Sequence, residues 1–290
     1  MDHGVTPEVA RAMWRTLEPY HAMVYFVPEG PEEYAQLGLD VEGNKALAYF
    51  PARAAALGAV RPSVVQAVFF NFSALAVQFG MSGVWTTTSP DALVEARLRV
   101  ADRALRRLCG DLLDRPDVVE ALELARTACE GCRPEGRPLY AGLADLPWPT
   151  EPHLQLWHAV SLLREFRGDG HVAALTASDV SGIEAAVMHV AQGLDGERTW
   201  TREPLRRTRG YSTEQWDTAL AGLRERGWIE RDGEGFTDEG RRVRQEVEDR
   251  TDVLALPPWQ HLGAAGCSRL RELVRPLSKA VVEAGGLGVR

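Results

Sequence analysis

Apolar side chains recur three and four residues apart along most of the chain. That spacing puts them on one face of a helix, so the pattern predicts a mainly α-helical fold with few strands. The first stripe covers Pro7 to Phe26, where Ala10, Met13, Trp14, Leu17, His21 and Val24 fall on or near one face. Pro28, Gly30, Pro31, Gly38 and Gly43 break the pattern between Val27 and Lys45, leaving room for a short helix at Glu32 to Leu37. Helical stripes resume over Ala46 to Leu57, Pro62 to Gln78 and Ser89 to Leu113, with a further helix from Pro116 to about Cys129. Ser89-Pro90-Asp91 supplies a cap and a proline at the first helical position. The stretch from Cys132 to Pro152 is the longest one rich in proline and glycine. It predicts an N-terminal helical domain at 1–132, a linker at 133–152 and a C-terminal helical domain at 153–290.

The second half opens on a helix from Glu151 to about Phe166, a corner at Gly168-Asp169-Gly170 and another apolar stretch from His171 to Leu175. Helices are then expected at Val180 to Ala191, about Glu203 to Arg209, and Ser212 to Arg226, which is the order of a helix-turn-helix. Ser212 and Gln215 have capping-box spacing, and Gly227 is placed as a C-terminal stop. Trp228 to Arg231, a turn at Asp232-Gly233-Glu234-Gly235, and Phe236-Thr237 read as strand, turn and strand: a wing. A winged helix is therefore expected over about 181–252, followed by a last helix from Ala264 to Ala284. Trp14 and Trp157 each sit early in a helix and both halves end in a long amphipathic one. The faint match leaves open two related winged-helix halves forming a pseudo-dimer, beside chance similarity.

Composition adds limits. Of 290 residues, 45% are hydrophobic and 26% charged, which excludes disorder over most of the length. Thirty-three basic against forty-one acidic side chains give a net charge of -8, the wrong sign for coating nucleic acid non-specifically, so any DNA contact must be local. No run approaches the roughly 18 apolar residues of a membrane span, and no leader pattern opens the chain, so a cytoplasmic protein without a membrane partner is expected. Cys109, Cys129, Cys132 and Cys267 read as free thiols, and the lone Cys129-Glu130-Gly131-Cys132 has neither the further ligands of a zinc site nor the βαβ setting of a redox motif.

The segment Leu156-Trp157-His158-Ala159, continuing through Leu163-Arg164-Glu165-Phe166-Arg167-Gly168-Asp169-Gly170-His171-Val172-Ala173-Ala174-Leu175, resembles a group of actinobacterial proteins. They form a helix-turn-helix family related to MarR-type winged-helix regulators. Tyr20-His21, Tyr25-Phe26, Tyr49-Phe50-Pro51-Ala52-Arg53-Ala54-Ala55, Asn71-Phe72, Arg137-Pro138-Leu139 and Pro257-Pro258-Trp259 are similar too, so the resemblance covers most of the chain. It implies a transcription regulator by fold. Phe166 departs from it, standing where a histidine is expected.

Two constellations carry candidate chemistry. In a winged helix the second helix enters the major groove and the wing touches backbone; Arg206, Arg207, Arg209, Ser212, Thr213, Gln215 and Arg231 are the candidate DNA contacts. Against them, Ile183 to Asp252 holds twelve arginines and sixteen acids, so a winged helix kept only for packing or dimerisation is the alternative. The second constellation is polar groups among apolar helices, which form either an ion-pair brace or a pocket. His21, Arg53, Asn71, His158, Arg164, Asp169 and His171 are its candidate ligand-binding residues. Imidazoles can hold metal or haem iron, but no close ligand pair is present, so no metal site is assigned and the cofactor stays unknown. No nucleophile elbow, phosphate loop or zinc-protease motif occurs, and no catalytic residue is assigned. The leading expectation is a ligand-responsive regulator binding double-stranded DNA and a small molecule, as a monomer or homodimer. The alternative is a small-molecule-binding protein or enzyme that keeps the scaffold without binding DNA.

Overall fold

The computed structural model describes residues 4–42, 46–194 and 201–288. Its elements in chain order are α1 (Pro7–Ala22), α2 (Glu29–Ala35), α3 (Ala46–Ala54), α4 (Pro62–Val68), α5 (Ala74–Met81), α6 (Val84–Thr87), α7 (Pro90–Cys109) and α8 (Pro116–Glu130). They continue with α9 (Pro138–Ala144), α10 (Pro152–Ala177), α11 (Gly182–Leu194), α12 (Arg202–Arg209), α13 (Thr213–Glu225), α14 (Asp238–Leu254) and α15 (Leu256–Glu283). The protein is mainly helical, as the apolar periodicity predicts.

The chain forms two compact units, one of residues 1–60, 80–170 and 252–290, the other of residues 61–79 and 171–251. In the first, α15 packs against α1 and α8, and α2 lies on α7. Glu29 pairs with Arg107 at 2.6 Å, and Glu33 with Arg99 and Arg103, both at 2.8 Å, which pins the short α2 along α7. Helix α7 starts where its cap predicts, the Ser89 hydroxyl accepting the Ala92 N–H at 3.2 Å. The proline-rich stretch around residue 140 is itself partly helical, and Tyr140 and Leu143 of α9 join Leu162 and Phe166 in a buried cluster.

Three local expectations are corrected. The expected glycine corner at 168–170 is continuous helix within α10. Gly170 serves close approach, because a Cβ on it would stand 2.4 Å from the Arg137 guanidinium. That guanidinium bonds the Phe166 and Leu254 carbonyls and stacks 4.0 Å over the Phe166 ring, which accounts for an aromatic residue at this position. The helix expected over Pro62 to Gln78 divides into α4 and α5, since the Ser73 N–H leaves the helical pattern to reach the Arg209 carbonyl at 2.9 Å. The wing is also smaller than expected. Its hairpin closes on one antiparallel bridge, Ile229 with Phe236, and no strand forms among the described residues. The turn consumes the residues between, and Arg224 donates to the Glu230 and Gly233 carbonyls at 3.2 and 2.7 Å, doing for the hairpin what a second ladder rung would do.

Candidate functional site

The first unit gathers its polar groups around one face of α10. Glu165, 1% exposed, accepts from Arg53 Nε at 3.0 Å and Nη2 at 2.7 Å, and from Arg164 Nη1 at 2.8 Å. Burial pushes its carboxyl up, but Arg164 and Arg53 outweigh that and hold it far below the usual carboxylate range. Arg53 also donates to the Tyr49 hydroxyl at 2.9 Å, and Arg164 lies 3.6 Å from Glu18.

His21 continues the network. The Ser161 hydroxyl donates to the Trp157 carbonyl at 2.7 Å, so its oxygen must accept from His21 Nδ1–H at 2.8 Å. Nε2 is then the acceptor, and the Tyr25 hydroxyl donates to it at 3.0 Å. Burial, helped by Arg164, keeps this imidazole neutral by pushing its pKa well down. Both ring nitrogens are thus engaged within the protein.

The Tyr25 oxygen also accepts from Arg97 Nη2 at 3.0 Å. Arg97 is 5% exposed and lies 5.1 Å from the Trp157 ring and 5.6 Å from that of Tyr25. Among the described residues no carboxylate stands within ion-pair distance of it. Burying a charge costs several kcal/mol, and a cation–π contact returns about 2 kcal/mol when desolvated, so the aromatic rings alone leave Arg97 under-compensated. It lines a cavity of about 430 Å³ with the Tyr25, Tyr34 and Tyr49 rings and an apolar wall from Val24, Val27, Val41, Ala48 and Ala52.

The other candidate ligand residues are dispersed. His158, edge-on to Trp148 at 4.9 Å, has its Nε2 buried without a partner, and burial brings its pKa to about 4. Asp169 accepts the Tyr140 N–H at 3.0 Å and is pushed up by burial to about 6. His171 and Asn71 belong to the second unit. His171 Nδ1 lies 2.9 Å from the Thr251 hydroxyl, while Asn71 sits in the break between α4 and α5, beside Gly182. So His21, Arg53 and Arg164 come together, and Arg97, Glu165 and the three tyrosines complete the cluster. Arg97 had a signal in the sequence, since it shares the buried stripe of α7 with Leu93, Ala96, Val100 and Ala104. Burial raises the thiols of Cys129 and Cys132, that of Cys132 to about 12, which disfavours the thiolate.

These shifts set the acid response of the first unit. His158 carries fewer protons folded than unfolded between about pH 4 and 6.5, and His21, its pKa also pushed down by burial, acts in the same direction, so stability is lost as the pH falls through that window. Asp169 acts oppositely, keeping its proton when folded up to about pH 6. His158→Phe should therefore flatten the acid limb of urea midpoint against pH, and Asp169→Asn should steepen it. Equal slopes in all three proteins would refute both assignments.

In the second unit α11 packs on α12 and α13. Helix α12 ends on Gly210 with φ 74°, a left-handed cap, and Tyr211-Ser212 leads into α13. The expected capping box is present: the Ser212 hydroxyl accepts the Gln215 N–H at 3.1 Å, and the Gln215 side chain accepts the Ser212 N–H at 2.9 Å. Trp216, Leu220 and Leu223 point inward, leaving Thr213, Glu214, Asp217 and Thr218 exposed.

Most arginines here are committed internally. Arg206 donates to the Tyr211 carbonyl at 2.7 Å and to Glu203 at 2.8 Å, Arg209 stacks 4.4 Å over Phe72, and Arg202 bonds Glu234 at 2.6 Å and also Asp217. Arg207 and Arg231 are exposed and make no hydrogen bond or ion pair among the described residues, although the Arg207 charge helps to lower the Glu203 carboxyl.

A short-turn helix pair with an N-capped, outward-facing second helix defines a helix-turn-helix protein. A family model described as a helix-turn-helix family matches residues 10–288, and the chain belongs to that family. No curated protein and no solved structure matches it. No helix among the described residues is long and apolar enough to cross a membrane, and no group of three or more His, Cys, Asp or Glu among them is placed to hold a metal ion.

Proposed function

We propose that the protein is a cytoplasmic, ligand-responsive transcription regulator of MarR-like kind, which binds double-stranded DNA through α12 and α13 and a small molecule in its first unit. The observation that carries the DNA reading is the capped α13, whose buried Trp216, Leu220 and Leu223 leave an outward face free for a major groove. On that face Thr213 and Thr218 can reach base edges, and Glu214 suits a cytosine amine. The capping box already occupies Ser212 and Gln215, so they serve by setting the start of the helix.

Among the described arginines of the helix pair and the hairpin, Arg207 and Arg231 are the ones without a hydrogen bond or ion pair and so available to meet phosphate. Anisotropy of labelled duplex from upstream of the gene, titrated against salt, tests this. Arg207→Ala and Arg231→Ala should each weaken binding and reduce the salt slope by about 1. Unchanged slopes in both variants would remove these contacts, and absence of saturable binding at low salt would remove the DNA reading itself.

The acidic exposed face, with Glu214, Glu225, Glu230 and Asp232, favours a second reading, a small-molecule-binding protein or enzyme without DNA. The same titration separates the two.

A further inference from the structure

We propose that the cavity beside Arg97 binds an organic monoanion with an apolar body, a carboxylate of the aryl- or alkyl-alkanoate type. This deepens the ligand-responsive reading above and rests on it. The polar end is supplied by two groups that the protein leaves uncommitted. Arg97 spends one guanidinium nitrogen on the Tyr25 hydroxyl and has no carboxylate partner among the described residues. Tyr34, 3% exposed, lines the same cavity, and its hydroxyl has no hydrogen-bond partner among them. Two donors and a positive charge facing one space match a carboxylate, whose oxygens only accept.

The rest of the wall sets the body of the ligand. Val24, Val27, Val41, Ala48 and Ala52 offer no hydrogen bond from their side chains, and a volume of about 430 Å³ suits a single ring with a short chain. The neighbouring cations are already answered: Arg53 and Arg164 bracket Glu165, and His21 is neutral. Among the described residues, Arg97 is thus the one cation at this cavity that awaits a counter-ion. Glu42, exposed on the lining, repels a second negative group, so a monoanion is preferred to a dianion.

The floor of the site is preorganised. Tyr25 is fixed between Arg97 and His21, His21 is fixed by Ser161, and Ser161 by the Trp157 carbonyl, so the guanidinium is aimed before any ligand arrives.

Calorimetric titration of the full chain, without DNA, with 4-phenylbutyrate, octanoate and the neutral amide of each tests the proposal. One equivalent of acid should bind, with the amide weaker by about tenfold or more. Arg97→Gln should reduce the acid to the affinity of its amide. Tyr34→Phe removes only an uncommitted hydroxyl, so it should fold normally, weaken the acid several-fold and leave the amide unchanged. Equal binding of acid and amide, no saturable binding of either acid at millimolar concentration, or an unaffected Tyr34→Phe protein would overturn it. A chain that binds the acid but no duplex instead fails the regulator reading alone, and one that binds duplex but neither acid fails this proposal alone.

Discussion

Glu165→Gln is expected to destabilise the first unit by about 3–5 kcal/mol, the usual cost of removing one partner from a buried ion pair. The carboxylate takes both Nε and Nη2 of Arg53, whose side chain is 9% exposed, so the neutral amide strands a guanidinium that water cannot reach. Arg164 is less affected, because it is 25% exposed and keeps Glu18 at 3.6 Å. Urea unfolding followed by tryptophan fluorescence reads the loss, since Trp157 lies on the same helix one residue from His158. The paired replacement Arg53→Met with Glu165→Leu should recover most of it, because removing both charges leaves no stranded partner. A Glu165→Gln protein within about 1 kcal/mol of the parent would show that the pair is not a structural brace.

That pairing also marks what a single sequence can reveal. Ser89-Pro90 and Ser212 with Gln215 were legible as helix starts because a cap is satisfied within three residues of itself. The polar segment from Arg164 to His171 was legible as costly, since ionised groups on an apolar helix need an explanation. Its partners were not, for Arg53 meets Glu165 across 112 positions and nothing local announces the match. The same holds for the helix errors. Gly170 reads as part of a corner because glycine serves both turns and close approach, and only the guanidinium of Arg137 decides which. The break between α4 and α5 depends on the Arg209 carbonyl, more than a hundred residues away in sequence. Arg97 escapes periodicity for a different reason: a stripe is defined by its apolar members, and a charged residue in register with them carries no apolar signal although its spacing puts it on the buried face.

Gly240→Ala is expected to disable the helix-turn-helix unit, and Gly222→Ala to leave it intact. A Cβ on Gly240 would stand 1.9 Å from the Trp228 carbonyl oxygen and 2.9 Å from the Phe236 ring. Neither neighbour can retreat cheaply. The Trp228 carbonyl accepts the Thr237 N–H at 3.0 Å, the Thr237 hydroxyl donates to the Gly227 carbonyl at 2.6 Å, and Phe236 is 1% exposed beneath the hairpin. Helix α14 thus rests on the reduced wing with no room for one carbon, and overpacking there costs at least the upper end of the usual ~1–3 kcal/mol. Gly222 lies inside α13 with nothing within 4 Å of its missing Cβ, so alanine should stabilise that helix by up to about 1 kcal/mol. Thermal unfolding and duplex binding, measured on both proteins, report the contrast. Gly240→Ala should lower the melting temperature of the second unit and lose duplex affinity, while Gly222→Ala should retain both. Normal stability in Gly240→Ala would mean that α14 does not pack on the hairpin as described, and with it would fall the view that a single-bridge wing is held in place by this helix.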